Sequence, residues 1–184
     1  MENTNVQNEN NNIRFNLFIT DLTEYNAGNL VGKWFDALTE FDAMSTYINT
    51  IAGKGHEWFI ADNESDLFEV GEFHSVDNLE EMTDVIKGFQ FDSSIANLIK
   101  NYCNGDNKSI AEFVQNNELL ILDGASTEEC ALGEYVFDLS IEHEPDNFLH
   151  QYFDYESYGK DLLLTDYSYI GLNKDYDHVY ILND

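Results

Sequence analysis

Hydrophobic and polar residues alternate with a period of two near the start of the chain. Phe15, Leu17 and Ile19 alternate with polar neighbours, which predicts a half-buried β-strand. A loop rich in Asn and Gly follows, and residues 30–38 form a second predicted strand. Two neighbouring strands joined by a short loop indicate an antiparallel pair with one buried face.

A helical period replaces this alternation after the second strand. Apolar residues recur at helical spacing after Asp42, an acid suited to the N-cap or first turn, and two glycines end the predicted helix. A short strand is predicted over 57–62, and an acidic loop covers 63–76. The order ββαβ therefore predicts an N-terminal α/β domain over residues 13–73.

Three apolar stripes at helical spacing occupy the middle of the chain, and Asp92 and Ser93 are candidate caps for the second of them. They predict a small helical domain over residues 74–116. The stripes are Met82, Val85, Ile86 and Phe89; Ile95, Leu98, Ile99 and Tyr102; and Ile110, Phe113 and Val114.

The last third of the chain, residues 117–184, again mixes strands and helices and predicts a C-terminal α+β domain. Residues 118–123 form a predicted strand, and Ser126 with Glu129 forms a predicted capping box that begins a helix. Two strands, over 167–172 and 178–182, are predicted to pair across a five-residue turn.

Aromatic and acidic residues are interleaved between Leu149 and Leu162. Tyr152, Tyr155 and Tyr158 stand three apart, so they would lie near one face of a helix that Gly159 would end. An amphipathic helix packed into a core accounts for this spacing, and so does a contact surface. The spacing alone leaves both interpretations open.

The charge of the chain is unusual for a folded protein. Asp and Glu number 36 against eight Lys and Arg, giving a net charge of −28 and a pI near 4.1. The acids are spread among 26 aromatic residues, which distinguishes the chain from a disordered acidic tail. Direct binding to nucleic acid or to an anionic membrane is excluded, because the electrostatic interaction would be repulsive.

Self-repulsion destabilises a compact state, so such a charge is expected to have a use. Four uses compete: solubility in high salt, storage of cations, capture of a basic partner, and imitation of a polyanion. Duplex DNA carries one charge per ~1.7 Å of axis, so a net charge of 28 matches roughly 48 Å, or about 14 base pairs. Composition permits each of the four.

Other features of the sequence set the expected compartment. Residues 1–12 form an Asn-rich polar tail that we expect to be disordered and that does not resemble a signal peptide. Two distant cysteines do not indicate a disulfide scaffold, and no apolar run approaches the length of a membrane span. A reducing, cytoplasmic location is expected.

Motifs for catalysis and metal binding are absent from the sequence. The five histidines lack metal-ligand spacing, and His143-Glu144 is followed by proline and lacks the second histidine of a zinc-protease helix. With so many acids, a neighbouring pair of carboxylates is not evidence for acid–base catalysis. We therefore expect no enzymatic activity, no cofactor and no metal.

Two stretches resemble the ArdA family of antirestriction proteins. Ile19 to Ala37 (ITDLTEYNAGNLVGKWFDA) resembles the N-terminal signature of that family, with a Tyr-Asn-x-Gly loop and a Gly-x-Trp strand. Tyr152 to Leu162 (YFDYESYGKDL) resembles its antirestriction motif. The resemblance implies an elongated α+β chain of three small domains that dimerises through its C-terminal part. It also implies that the protein mimics B-form DNA and occupies the DNA-binding groove of type I restriction–modification enzymes. Mobile elements and phages use such proteins to protect their incoming DNA.

The resemblance and the charge together predict which residues carry the function. A chaperone or sequestering module for a basic DNA-binding protein is the alternative. The residues predicted for the antirestriction motif and dimer seam are Tyr152, Phe153, Asp154, Tyr155, Glu156, Tyr158 and Asp161. The predicted partner-binding acids are Asp21, Glu24, Asp36, Glu40, Asp42, Asp62, Glu64, Asp66, Glu69, Glu72, Asp77, Glu80, Glu81 and Asp84.

Overall fold

The computed structural model describes residues 13–140 and 148–183 of the chain. Contacts within the fold divide the chain into two compact units, Met1–Gln115 and Asn116–Asp184. We call them the N-terminal unit and the C-terminal unit. The predicted disordered tail over 1–12 lies outside the described residues.

A three-stranded antiparallel sheet with strand order β2-β1-β3 forms the first part of the N-terminal unit. The predicted alternation is confirmed, because Phe15, Leu17 and Ile19 are fully buried on one face. Helix α2 contributes Met44 and Ile48 to the buried core. The elements are β1 (Phe15–Asp21), α1 (Leu22–Asn26), β2 (Gly32–Asp36), α2 (Phe41–Ala52) and β3 (Trp58–Ser65).

The observed order differs in detail from the predicted ββαβ pattern. A short helix, α1, follows β1 directly because Asp21 accepts hydrogen bonds from two backbone N–H groups in its first turn. Strand β2 is shorter than the predicted 30–38, whereas β3 extends three residues beyond the predicted 57–62. The longer β3 pairs with β1 as far as Phe15, so part of the predicted acidic loop belongs to the sheet.

Three helices complete the N-terminal unit, as the apolar stripes predicted: α3 (Val76–Gly88), α4 (Ser93–Tyr102) and α5 (Asn107–Asn116). Ser75 caps α3 and Asp92 caps α4, each through a side-chain oxygen that accepts backbone N–H groups. The contacts place these helices in one unit with the sheet, apart from the last residue of α5. The arrangement in three domains stays a prediction.

The C-terminal unit contains a second antiparallel sheet, with strand order β4-β6-β5. Its core forms where Leu132, Leu162 and Tyr180 pack together. The predicted strands 167–172 and 178–182 and their five-residue turn are confirmed. The elements are β4 (Leu119–Leu122), α6 (Glu128–Ser140), a 3₁₀ turn (Phe148–Gln151), α7 (Tyr155–Thr165), β5 (Tyr167–Leu172) and β6 (His178–Leu182).

Two local predictions in the C-terminal unit are wrong. Helix α6 begins one residue later than the Ser126 capping box requires, because the Thr127 hydroxyl accepts the Cys130 N–H. Gly159 does not end a helix but lies buried in the middle of α7. Since α7 begins only at Tyr155, Tyr152 does not share its helical face.

Candidate partner-binding surface

One face of the N-terminal sheet carries an aromatic pair framed by carboxylates. In the antiparallel register, Phe18 lies opposite Trp34 on one side and opposite Asp62 on the other. Side chains of directly paired residues point to the same face, so these three form a row across the sheet. The next row consists of Asp36, Asn16 and Glu64. We call these six residues the tryptophan face.

Gly32 explains how the aromatic pair is held. The Phe18 ring lies so close above it that a Cβ atom at position 32 would be 2.7 Å from Phe18 Cζ and 2.7 Å from Thr20 Oγ1. Phe18 packs against Trp34 with ring centroids 5.4 Å apart, and Trp34 is still 43% exposed. The glycine thus makes the space in which Phe18 supports an exposed indole ring.

Helix α3 presents a second group of acids, Asp77, Glu80, Glu81 and Asp84, at the spacing of one helix surface. All four are exposed, and within the described residues no hydrogen bond or ion pair engages their carboxylates. From Asp77 to Asp84 the helix rises ~10.5 Å, so the four carboxylates follow one another at a mean spacing of ~3.5 Å along the axis. Each strand of duplex DNA carries one charge per ~3.4 Å, so this acidic stripe has the charge spacing of a single DNA strand.

The acidic stripe borders an apolar groove. Glu81 and Asp84 line this groove together with Met82, Ala111 and Val114, and its volume is about 790 Å³. A space of this size is typical of sites for small organic ligands. The surface of α3 therefore combines free carboxylates with accessible apolar area.

Two of the predicted partner-binding acids are engaged inside the fold. Asp21 is 1% exposed, caps α1 and lies 2.9 Å from Nδ1 of His56. Burial raises the pKa of Asp21, but the hydrogen bonds from His56 and the backbone outweigh it and leave the pKa below its ordinary value. Asp66 is 4% exposed and binds the Arg14 guanidinium at 2.8 Å. Both carboxylates are buried in pairs within the fold, which corrects the prediction that they lie on a partner-binding surface.

The remaining predicted acids lie nearer the surface and differ in whether their carboxylates are hydrogen-bonded or ion-paired. Asp42 and Glu72 are exposed, and their carboxylates have no partner within the described residues. In that same part of the chain, Asp62 accepts a hydrogen bond only from the N–H of the next residue. The contact of these acids with a partner stays a prediction. Hydrogen bonds or ion pairs within the unit engage Glu24, Asp36, Glu40, Glu64 and Glu69.

Asp154 of the predicted antirestriction motif caps helix α7. Its carboxylate accepts the Ser157 N–H at 3.0 Å and the Ser157 hydroxyl at 2.8 Å. These hydrogen bonds lower the pKa of Asp154, because they favour its charged form. Glu156 forms an ion pair with Lys160 one turn along the helix, and Asp161 is exposed.

The aromatic residues of the same motif separate into packed and exposed members. Tyr155 packs edge-on against Phe137 and its hydroxyl lies 2.6 Å from Nδ1 of His150. Phe153 lies with its ring centroid 4.1 Å from that of Phe137, and Tyr158 packs perpendicular to Phe153. Tyr152 is 81% exposed. Most of the motif therefore stabilises the C-terminal unit, and Tyr152 is its most exposed aromatic residue.

Comparison with known families decides the assignment. A family model described as antirestriction protein (ArdA) matches residues 17–177, which is most of the chain. The chain belongs to the ArdA family. Membership implies an antirestriction role, and the family is a non-enzymatic one. A comparison with individual curated proteins found no match.

The ArdA match includes every predicted acid from Asp21 to Asp84 and the whole motif from Tyr152 to Asp161.

Among the described residues, no group of three His, Cys, Asp or Glu side chains is arranged to hold a metal ion. None of the described helices is long and apolar enough to cross a membrane. Burial raises the pKa of the Cys103 thiol, which disfavours the reactive thiolate.

Sequence reasoning on the ArdA signature missed part of the surface. Asn16 and Phe18 belong to the tryptophan face, whereas the sequence predicts a role only for the buried residues of β1. The signal was present, because a period of two places residues 16 and 18 together on the opposite face. Gly32 could not be connected with Phe18, since the register between β1 and β2 is not readable from either strand alone.

Proposed function

We propose that this protein inhibits type I restriction–modification enzymes by occupying their DNA-binding groove as a mimic of B-form DNA. The free carboxylates of the acidic stripe on α3 carry this proposal, because they are mounted on a regular element at a spacing comparable to that of DNA charges. Basic side chains that normally neutralise phosphates would bind these carboxylates, with release of counterions contributing to affinity. No bond is made or broken in this mechanism.

Both units are strongly acidic, which supports a contribution of each to partner binding. The N-terminal unit contains 20 acidic and six basic residues and the C-terminal unit 16 and two, so each has a net charge of −14. A homodimer formed through the C-terminal unit would double the total and match the charge of roughly 28 base pairs. We propose this dimer as the active form in the bacterial cytoplasm.

A displacement assay tests the proposal. The purified protein is titrated into a type I restriction enzyme bound to a labelled duplex that carries its target sequence. We expect displacement of the duplex at low salt and weaker displacement as salt rises, because the interaction is largely between charges. The labelled duplex with the protein alone serves as the control and should remain unbound.

Failure to displace the duplex at low salt would contradict the proposal. The same titration with a basic nucleoid protein in place of the restriction enzyme tests the alternative of a sequestering module. Capture of that protein without any effect on the restriction enzyme would favour the alternative.

A further inference from the structure

We propose that the tryptophan face binds an arginine side chain of the partner, with the guanidinium stacked on the Trp34 ring and paired with a neighbouring carboxylate. This inference rests on the proposed function, since it specifies how a basic partner is recognised. It goes beyond charge mimicry because it adds a preference for arginine over lysine. A pure imitation of a phosphate backbone would offer charge alone.

The exposure of Trp34 is the first observation. Its indole ring lies outside the buried core and is 43% exposed, although it packs against the Phe18 ring, which in turn lies against Gly32. A large aromatic ring supported in this way loses little conformational freedom when a ligand stacks on it. The ring therefore provides a preorganised platform.

The frame of carboxylates is the second observation. Asp62 lies in the same row as Trp34, and Asp36 and Glu64 lie in the next row. Each of these carboxylates is hydrogen-bonded within the unit, but an ionised carboxylate has about four acceptor sites, so acceptors remain for a guanidinium. An aromatic ring beside fixed negative charges is complementary to a planar cation.

The two cationic side chains near this face, Lys33 and Arg14, each have a partner within the unit. Lys33 lies on the opposite face of β2, where its Nζ is 4.4 Å from the centroid of the Phe35 ring. Arg14 binds Asp66. The sheet thus already contains one cation–π pair on its far side. On the near side Arg14 also attracts Glu64, so Trp34, Asp36 and Asp62 are the groups available to an incoming cation.

Arginine fits this face better than lysine for geometric reasons. Its guanidinium is planar, stacks on an aromatic ring and donates two parallel hydrogen bonds to a carboxylate, whereas an ammonium group is a compact point charge with stronger hydration. For one exposed stacking site we expect about a two- to fivefold difference in affinity.

Two peptides of equal length and charge, oligoarginine and oligolysine, provide the test. They are titrated into the full-length Trp58→Phe protein, in which Trp34 is the remaining one of the two tryptophans. We expect the arginine peptide to bind about two- to fivefold more tightly than the lysine peptide and to change the Trp34 emission more strongly. Diffuse electrostatic attraction is the same for both peptides, and pairing of arginine with carboxylates elsewhere on the protein persists when Trp34 is replaced, so the change in the ratio on replacing Trp34 isolates the site.

Trp34→Leu, in the protein that retains Trp58, should lower the preference for arginine by about two- to fivefold and leave the affinity for the lysine peptide unchanged. Asp62→Asn keeps the indole and should reduce the preference in part. Circular dichroism and thermal unfolding of each variant establish that the sheet is intact. An unchanged arginine preference in folded Trp34→Leu would overturn the proposal.

The displacement assay separates this proposal from the proposed function. If the parent protein failed to displace DNA while Trp34→Leu lowered its arginine preference, the arginine site would stand and the antirestriction mechanism would fall. If the parent displaced DNA and both proteins bound the two peptides equally, the arginine site would be refuted and charge mimicry would remain.

Discussion

Gly133 of α6 and Gly159 of α7 face each other at a helix crossing that has no room for a side chain on either helix. A Cβ atom at Gly133 would lie 2.1 Å from the carbonyl oxygen of Tyr155, and one at Gly159 would lie 1.8 Å from that of Glu129. The obstructing atoms are backbone, so they move only if a whole helix moves. The crossing therefore fixes where α7 presents its tyrosines.

Gly159→Ala should destabilise the C-terminal unit by about 3 kcal/mol, because the added methyl group overpacks a backbone contact. Urea unfolding followed by circular dichroism measures the change. Gly88→Ala at the end of α3 is the matched control, since no heavy atom lies within 4 Å of its added Cβ. Equal unfolding midpoints for Gly159→Ala and the parent would show that the crossing is looser than described.

Asp154→Asn should make the stability of the protein less dependent on pH, because it removes the charge of Asp154. The pKa of Asp154 is lowered in the folded state by its hydrogen bonds with Ser157, so its charge stabilises the fold above the ordinary aspartate pKa of about 3.9. That contribution is lost as pH falls through the lowered folded-state pKa. Thermal unfolding of both proteins between neutral and strongly acidic pH measures it.

The comparison between the two proteins is required because acidification also relieves repulsion among the other acids. We expect the parent to be the more stable protein at neutral pH and the difference in melting temperature to shrink on acidification. A difference that stays constant across this range would contradict the role of the Asp154 charge in capping α7.

Strands and helices with a regular period were predictable from the sequence, whereas contacts that override local preference were not. A glycine in a helix costs only about 1 kcal/mol relative to alanine, so the packing of Gly159 against α6 outweighs its tendency to end a helix. Similarly, Asp154 caps α7 and sets its start, which removes Tyr152 from a face that the spacing alone assigned to it.

Burial of single acids was equally hidden from the sequence. Asp21 and Asp66 are surrounded in sequence by acids that lie at the surface, and nothing in their spacing separates them. Their burial depends on two partners, His56 and Arg14, that are distant in the chain. Pairing between distant residues is decided by sheet register and loop path, which a single sequence does not determine.

Gly32→Ala tests the seating of the aromatic pair. The added methyl group would displace the Phe18 ring and the Thr20 hydroxyl, and overpacking of this kind costs about 1–3 kcal/mol. We also expect a shifted emission spectrum of Trp34 when the change is made in a Trp58→Phe background. An unchanged spectrum together with unchanged stability would show that Phe18 does not need the space above Gly32.

Neutralising the acidic stripe on α3 should weaken inhibition far more than any single change. Replacing Asp77 and Asp84 by Asn and Glu80 and Glu81 by Gln removes four charges, and we expect each single replacement to change the half-inhibitory concentration less than about threefold. The variant with all four replacements should raise the half-inhibitory concentration more than tenfold. Its inhibition should also depend less on salt, because fewer counterions are released. Loss of all inhibition by one replacement would instead indicate a localised site.

Tyr152→Ser should dissociate the proposed dimer without unfolding the protein. Tyr152 is 81% exposed within one chain and therefore contributes little to the stability of its own unit, whereas Tyr155 is held by Phe137 and His150. Sedimentation velocity over a range of concentrations should show a larger monomer fraction for Tyr152→Ser, with an unchanged melting temperature at high dilution. Tyr155→Ser should lower the melting temperature instead, because it removes a packed ring.

Tyr176→Ser is the matched control for this substitution. Tyr176 is 74% exposed in the turn between β5 and β6 and lies outside the motif, so its replacement should leave the monomer fraction unchanged. If Tyr152→Ser sedimented as the parent does at every concentration, the dimer seam would not include this residue. If both variants dissociated equally, the seam would have to extend to the β5–β6 turn, and the two acidic surfaces would then be joined through the sheet and not through the motif.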